Sequence, residues 1–216
     1  MIGVAIAEET EWEATVSYFN GENLLEYPYG TYFIKDNLIF YYSDSRKVNS
    51  AAGAQYMIDK FNIEKIMVVG TCAGIDEKFK IFDVVVPYKA IQYDCTVKEV
   101  EPLTKEKFVV NIDLSKYEVN NTGIIGSADK AVVMWKDYME LKDNNFTIAD
   151  MESAPVAYVC KKNNVECIII KGISDFPLDK NGKDAKKSSD EQIKIFYRNV
   201  PIVMEKIFKE YFEKYI

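Results

Sequence analysis

The chain has 216 residues, of which 48% are hydrophobic and 28% charged, and a formal net charge of -7. That length suits one domain with a sizeable core, and the acidic balance argues against a nucleic-acid surface, which needs a basic stripe. The absence of histidine removes Ser-His-Asp and Cys-His nucleophile systems and histidine-based metal sites, so acid-base chemistry must run on carboxylates, Lys, Tyr, Cys or bound water.

Residues 2–7 read as a first core strand. The segment turns acidic at Glu8-Glu9 and lacks the basic start of a signal peptide. Thr10-Glu11-Trp12-Glu13 has capping-box spacing and is expected to start a helix running to about residue 20. Residues 31–34 and 38–43 form an expected hairpin around Lys35-Asp36-Asn37, and residues 49–61 have helical spacing. Residues 64–71 are a β-branched apolar run of the kind found in buried parallel strands. Further strands are expected over 84–93, 123–127 and 166–173. Ala149-Asp150-Met151-Glu152-Ser153 is expected to open a helix over 153–163. Ser188-Ser189-Asp190-Glu191 starts a long amphipathic helix, irregular near Pro201. The alternation of strands and helices, with several strands apolar throughout, predicts an α/β fold with a mixed central sheet flanked by helices.

Other features narrow the setting. No apolar run reaches membrane-spanning length, and the cytoplasm is the expected compartment. Cys72, Cys95, Cys160 and Cys167 show no CxxC spacing, which disfavours a structural zinc site. Arg46 and Arg198 are the only arginines, so a phosphate clamp built on the arginine fork is disfavoured. The polar stretch 179–188, just after Asp175, is a candidate flap.

Ligands of open α/β folds bind outside the carboxyl ends of strands. Four such ends carry suggestive residues: Glu8-Glu9-Thr10-Glu11, Gly70-Thr71-Cys72-Ala73-Gly74, Ser127-Ala128-Asp129 and Ser174-Asp175. The glycine stretch is not a P-loop, because no Gly-Lys-Ser/Thr follows. Each end alone also has a structural reading, as helix cap, turn or first-turn charge.

In this order, together with Phe82-Asp83-Val84-Val85-Val86 and Asp150-Met151-Glu152-Ser153, these segments resemble the purine nucleoside phosphorylase/uridine phosphorylase superfamily. The nearest resemblance is to the 5′-methylthioadenosine/S-adenosylhomocysteine nucleosidases, and it spans nearly the whole chain. The resemblance implies a three-layer fold and cleavage of a nucleoside N-glycosidic bond without cofactor or metal. It implies Asp175 as the acid at the purine N7, aided by Ser174, and Glu11 as the group that activates water. It implies Glu152 as the ribose clamp with Met151 against the sugar. Asp150, Thr71, Cys72, Ala73, Gly74, Ala131 and Val132 complete the expected binding set. The expected partner is a small nucleoside, with no nucleic acid and no membrane, and the expected assembly is a homodimer.

Phosphorylases of this superfamily place arginines after the first strand and before the glycine stretch. Here those regions read Glu8-Glu9-Thr10-Glu11 and Met67-Val68-Val69, so water is the expected acceptor. A phosphorylase and a non-catalytic nucleoside-binding protein are the alternatives. The chain also departs from the nucleosidase pattern. Ala131 stands where those enzymes carry an adenine-stacking aromatic, with Phe176 and Trp135 as nearby replacements. The late-flap aromatic falls near Ser188-Ser189. A glycine turn reads Asp44-Ser45-Arg46-Lys47.

Overall fold

The computed structural model describes residues 1–95, 109–133, 135–177 and 185–216, with 185–189 as backbone only. Among these residues one mixed sheet of eleven strands is flanked by five helices. The first half of the chain comprises β1 (Ile2–Ile6), α1 (Glu9–Phe19), β2 (Leu25–Tyr27), β3 (Gly30–Lys35), β4 (Leu38–Tyr42), α2 (Lys47–Phe61) and β5 (Lys65–Gly74). The second half comprises β6 (Val84–Val85), β7 (Lys89–Gln92), β8 (Val109–Asn111), β9 (Ile124–Ser127), α3 (Trp135–Asp143), β10 (Ile148–Asp150), α4 (Ser153–Asn163), β11 (Glu166–Asp175) and α5 (Ala185–Glu210). A short 3-10 turn, Phe212–Tyr215, ends the chain.

Period-2 alternation sorts the apolar strand residues into two layers. Ala5, Tyr41, Ile66, Val68 and Ile169 pack with Met57 of α2 and Val156 and Ala157 of α4. Their neighbours Val4, Ile6, Phe40, Met67, Val69, Ile168 and Ile170 pack on the opposite face with Trp12 of α1 and Val203, Met204 and Ile207 of α5. Strands buried on both faces read as continuous apolar runs for this reason.

β5 is the hub. It pairs in parallel with β1 and β11, and its end pairs antiparallel with β10 through Ala73 and Gly74. The β5–β11 register shifts between Ile173 and Asp175. An extra residue in a strand re-aims the side chains around it, and here that happens at Ser174-Asp175.

Several boundaries differ from expectation. The strand expected over 84–93 is two strands, β6 on β11 and β7 on β8 and β9. Pro87 lies between them and has no N–H to give to a ladder. Ala149 and Asp150 do not open a helix; they end β10, and α4 starts at Ser153. Helix α1 is capped by Glu8 and not by Thr10: the Glu8 side chain accepts from the Glu11 N–H, and the Glu11 side chain reaches back to the Glu8 N–H. Helix α5 runs through Pro201 without a break. Of the expected flap, residues 179–184 lie outside the described residues. No helix among the described residues is long and apolar enough to cross a membrane.

Candidate active site

The carboxyl ends of β1, β5, β9, β10 and β11 meet around one cavity of about 370 Å³. Glu11, Thr71, Cys72, Ala73, Ala131, Val132, Asp150, Met151, Glu152, Ser174 and Asp175 all line it. Gly74 does not. The Phe176 ring lies over its Cα, so closely that a Cβ there would meet Phe176 at 2.4 Å. Phe176 is therefore engaged in packing, and Trp135 packs against Tyr138 with the rings tilted and their centroids 4.7 Å apart. Neither fills the place of the missing aromatic. Phe196 and Tyr197 of α5 line the cavity instead. The Ser188-Ser189 side chains lie outside the described residues.

Glu11 is almost fully buried. Its Oε1 accepts from the Thr71 backbone N–H and hydroxyl, both at 2.6 Å. A Cβ at position 70 would come within 2.7 Å of the Glu11 carboxylate, so only glycine lets the acid lie against β5 at this point.

Asp175 is held from two sides. Its Oδ1 accepts from the Ser174 hydroxyl at 2.6 Å and its Oδ2 from Gln192 Nε2 at 2.7 Å. Burial raises the Asp175 pKa, against the lowering pull of those two hydrogen bonds. A carboxyl poised this way can carry a proton toward neutral pH.

Glu152 is pushed up to about 8, first by burial and then by the Asp150 carboxylate, against the opposing pull of Lys171 and the Arg46 N–H. Its Oε1 accepts from that N–H at 3.0 Å and its Oε2 from the Met151 N–H at 3.3 Å. Arg46 reaches it from φ 82°, ψ 164°, a backbone region that essentially only glycine tolerates. Arg46→Gly keeps the N–H and removes the strain. It is expected to raise stability by about 1 kcal/mol, read as a higher urea midpoint; a lower midpoint would show that the arginine side chain stabilises the turn.

Asp150 lines the cavity but its carboxylate is already satisfied. Oδ1 accepts from the Ser127 hydroxyl; Oδ2 accepts from the Ser153 hydroxyl and from its N–H at 3.1 Å, and pairs with Lys171 Nζ at 3.2 Å. It caps α4 from the strand end, as Ser127 does through the Ala154 N–H at 2.9 Å. Its carboxylate thereby ties the end of β10 to the start of α4 and to Lys171. Lys171, inside β11, is fully buried. Burial works to strip its proton; the carboxylates of Asp150, Glu11 and Glu152 outweigh that and hold its pKa above the ordinary value. A lysine in an otherwise apolar strand signals a buried partner, and this one was assigned no role above.

Five carboxylates, Glu8, Glu11, Asp150, Glu152 and Asp175, line the cavity. Among the described lining residues Lys130 is the sole cation, and it is paired with Asp137 at 2.6 Å. Among the described residues no group of three or more Cys, Asp or Glu side chains is arranged to hold a metal ion.

The family model of the phosphorylase superfamily matches residues 46–213. The chain belongs to the phosphorylase superfamily. Among its relatives is an aminodeoxyfutalosine nucleosidase of Campylobacter jejuni, 27% identical over 188 residues, covering 77% of this chain and 80% of that protein. Another is a 5′-methylthioadenosine/S-adenosylhomocysteine nucleosidase of Thermotoga maritima, 29% identical over 151 residues, covering 65% of this chain and 67% of the relative. The crystal structure of Helicobacter pylori 5′-methylthioadenosine/S-adenosyl homocysteine nucleosidase superposes with a TM-score of 0.76 at 21% identity, covering 97% of each chain. The futalosine hydrolase of the same species gives 0.76 at 20% identity, again over 97% of each. The three-layer fold is thus that of the phosphorylase superfamily.

Proposed function

We propose that the protein is a purine nucleosidase that hydrolyses the N-glycosidic bond of an adenine nucleoside with a 5′ substituent, such as 5′-methylthioadenosine or S-adenosylhomocysteine. The observation that carries this reading is the convergence of Glu11, Glu152 and Asp175, far apart in sequence, on one cavity. The nucleosidase names of its relatives support it.

Glycosidic cleavage passes through an oxocarbenium-like sugar. As the C1′–N9 bond breaks, its electron pair moves into the purine and N7 takes the proton of Asp175. Water attacks C1′ and gives its proton to Glu11. Glu152 accepts the ribose hydroxyls, and Met151 packs on the sugar. Among the described lining residues there is no arginine, and Lys130 is taken up by Asp137, which favours water over phosphate as the acceptor. Glu11→Gln is expected to abolish hydrolysis and leave nucleoside binding within a few-fold; loss of binding without loss of turnover in saturating substrate would contradict the role.

Ribose clamping calls for ionised Glu152, whose carboxyl is pushed up to about 8. Affinity for a non-hydrolysable nucleoside analogue is therefore expected to increase as pH rises from 6 to 9, and Glu152→Gln to flatten that dependence. A wild-type affinity independent of pH over this range would remove Glu152 from the clamp. The reading includes a cytoplasmic homodimer. The four free cysteines fit a reducing compartment, and exposed apolar side chains such as Val48 and Tyr88 suit burial against a second copy.

A further inference from the structure

Gln192 lies two turns into α5, lines the cavity and is more than nine-tenths buried. Its Nε2 donates to Asp175 Oδ2 at 2.7 Å and to the Val132 carbonyl at 3.2 Å. A backbone carbonyl can only accept, so Val132 fixes which end of the amide is the NH2 group. The other end, Oε1, is then left buried without a hydrogen-bond partner. The Tyr41 and Tyr93 hydroxyls share that state among the described residues, but neither residue lines the cavity. A buried acceptor left unpaired costs free energy that an incoming donor recovers.

We propose that Gln192 is a specificity residue whose Oε1 accepts an N–H from an amino group on the base edge that Asp175 addresses. This rests on the nucleosidase reading of the site and deepens it by naming what reads the base. On a purine, N7 and the 6-substituent share one edge. A 6-amino group offers a donor beside the atom that Asp175 protonates. A 6-oxo group would bring a second acceptor against Oε1. The amide cannot turn over to suit the oxo group without giving up Val132 and setting its oxygen against the Asp175 carboxylate. Sites built to hydrogen-bond a substrate group reject analogues lacking it, because their own polar atoms are left unpaired.

The test is calorimetric binding of free adenine and free hypoxanthine to the wild type, Gln192→Met and Gln192→Leu, alongside turnover of the matching nucleosides. The wild type is expected to favour adenine by about tenfold or more. Gln192→Met, similar in length but without hydrogen-bonding groups, is expected to bring the ratio to within about threefold. Gln192→Leu, also without hydrogen-bonding groups, is expected to narrow the ratio in the same way. A merely structural role would change stability and leave the ratio alone. An unchanged ratio in folded Gln192→Met or Gln192→Leu, or no preference in the wild type, overturns the inference; Gln192→Leu decides the matter if Gln192→Met does not fold. A wild type that distinguishes the bases yet cleaves no nucleoside would contradict the nucleosidase reading and leave Gln192 as the base reader.

Discussion

Asp175→Asn is expected to fold normally and to lose hydrolysis by about 10²- to 10⁴-fold in kcat, the usual contribution of a positioned general acid. Asparagine fills the same volume, and its carbonyl can still accept the Ser174 hydroxyl that now meets Oδ1 at 2.6 Å. It has no proton to give to a departing base. Its NH2 group would also face the Gln192 NH2 across the present 2.7 Å contact, so the local bond is lost while the core is untouched. Stability tells the same story from the other side. The folded-state pKa of Asp175 is raised by burial, so the carboxyl's contribution to stability is present below its unfolded value and is lost as pH rises through the raised one. Replacing it by a neutral amide removes that loss. Asp175→Asn is therefore expected to sit within about 1 kcal/mol of the wild type near pH 7 and to be less sensitive to rising pH. Urea melts at pH 5 and pH 8, with steady-state turnover, check both parts. Unimpaired turnover would remove Asp175 from the chemistry.

The second large effect is expected at Lys171. Its ammonium is buried and lies 3.2 Å from Asp150 Oδ2, with Glu11 and Glu152 also acting on it. Removing one member of a buried ion pair leaves the other uncompensated, at a cost of roughly 3–5 kcal/mol. Lys171→Met is expected to destabilise by about that amount. The lysine also lowers the Glu152 pKa, so its loss is expected to move the pH at which Glu152 ionises upward from about 8. The double variant with Asp150→Asn separates the contributions. If Asp150 is the main partner, the two losses are strongly non-additive, and the double variant is more stable than their sum predicts. Additive losses would mean that Lys171 is held chiefly by Glu11 and Glu152.

Much of the fold is legible in local patterns. The apolar runs of β1, β5 and β11 carry the signature of strands covered on both faces, and Asp36, at φ 55°, makes the turn between β3 and β4. What was not legible depends on distant partners. The pattern around Thr10 satisfies the capping rule, but Glu11 must reach Thr71 across the sheet, and Glu8 provides the cap from the end of β1. Helix α3 is largely polar, and β10 has three residues, too few for alternation to show. Asp150 consequently reads as a helix opener until its strand partner Ser127 is known. The three acids stand out because strand ends carry them in family-like segments. Lys171 and Gln192 do not, because their meaning comes from tertiary partners: a carboxylate on β10 for the first, and for the second an acid 17 residues earlier in the chain. Phe196 and Tyr197 read as part of an amphipathic stripe until the helix is laid across the cavity mouth.

The proposed reaction is the splitting of a nucleoside with water by the converging acids. Its most direct test is product analysis of purified protein with 5′-methylthioadenosine in phosphate-free buffer and again with phosphate added. Free adenine and the free methylthio-sugar are expected at the same rate in both. Turnover that waits for phosphate and yields a sugar 1-phosphate, or release of no base in either buffer across a panel of adenine nucleosides, would contradict it.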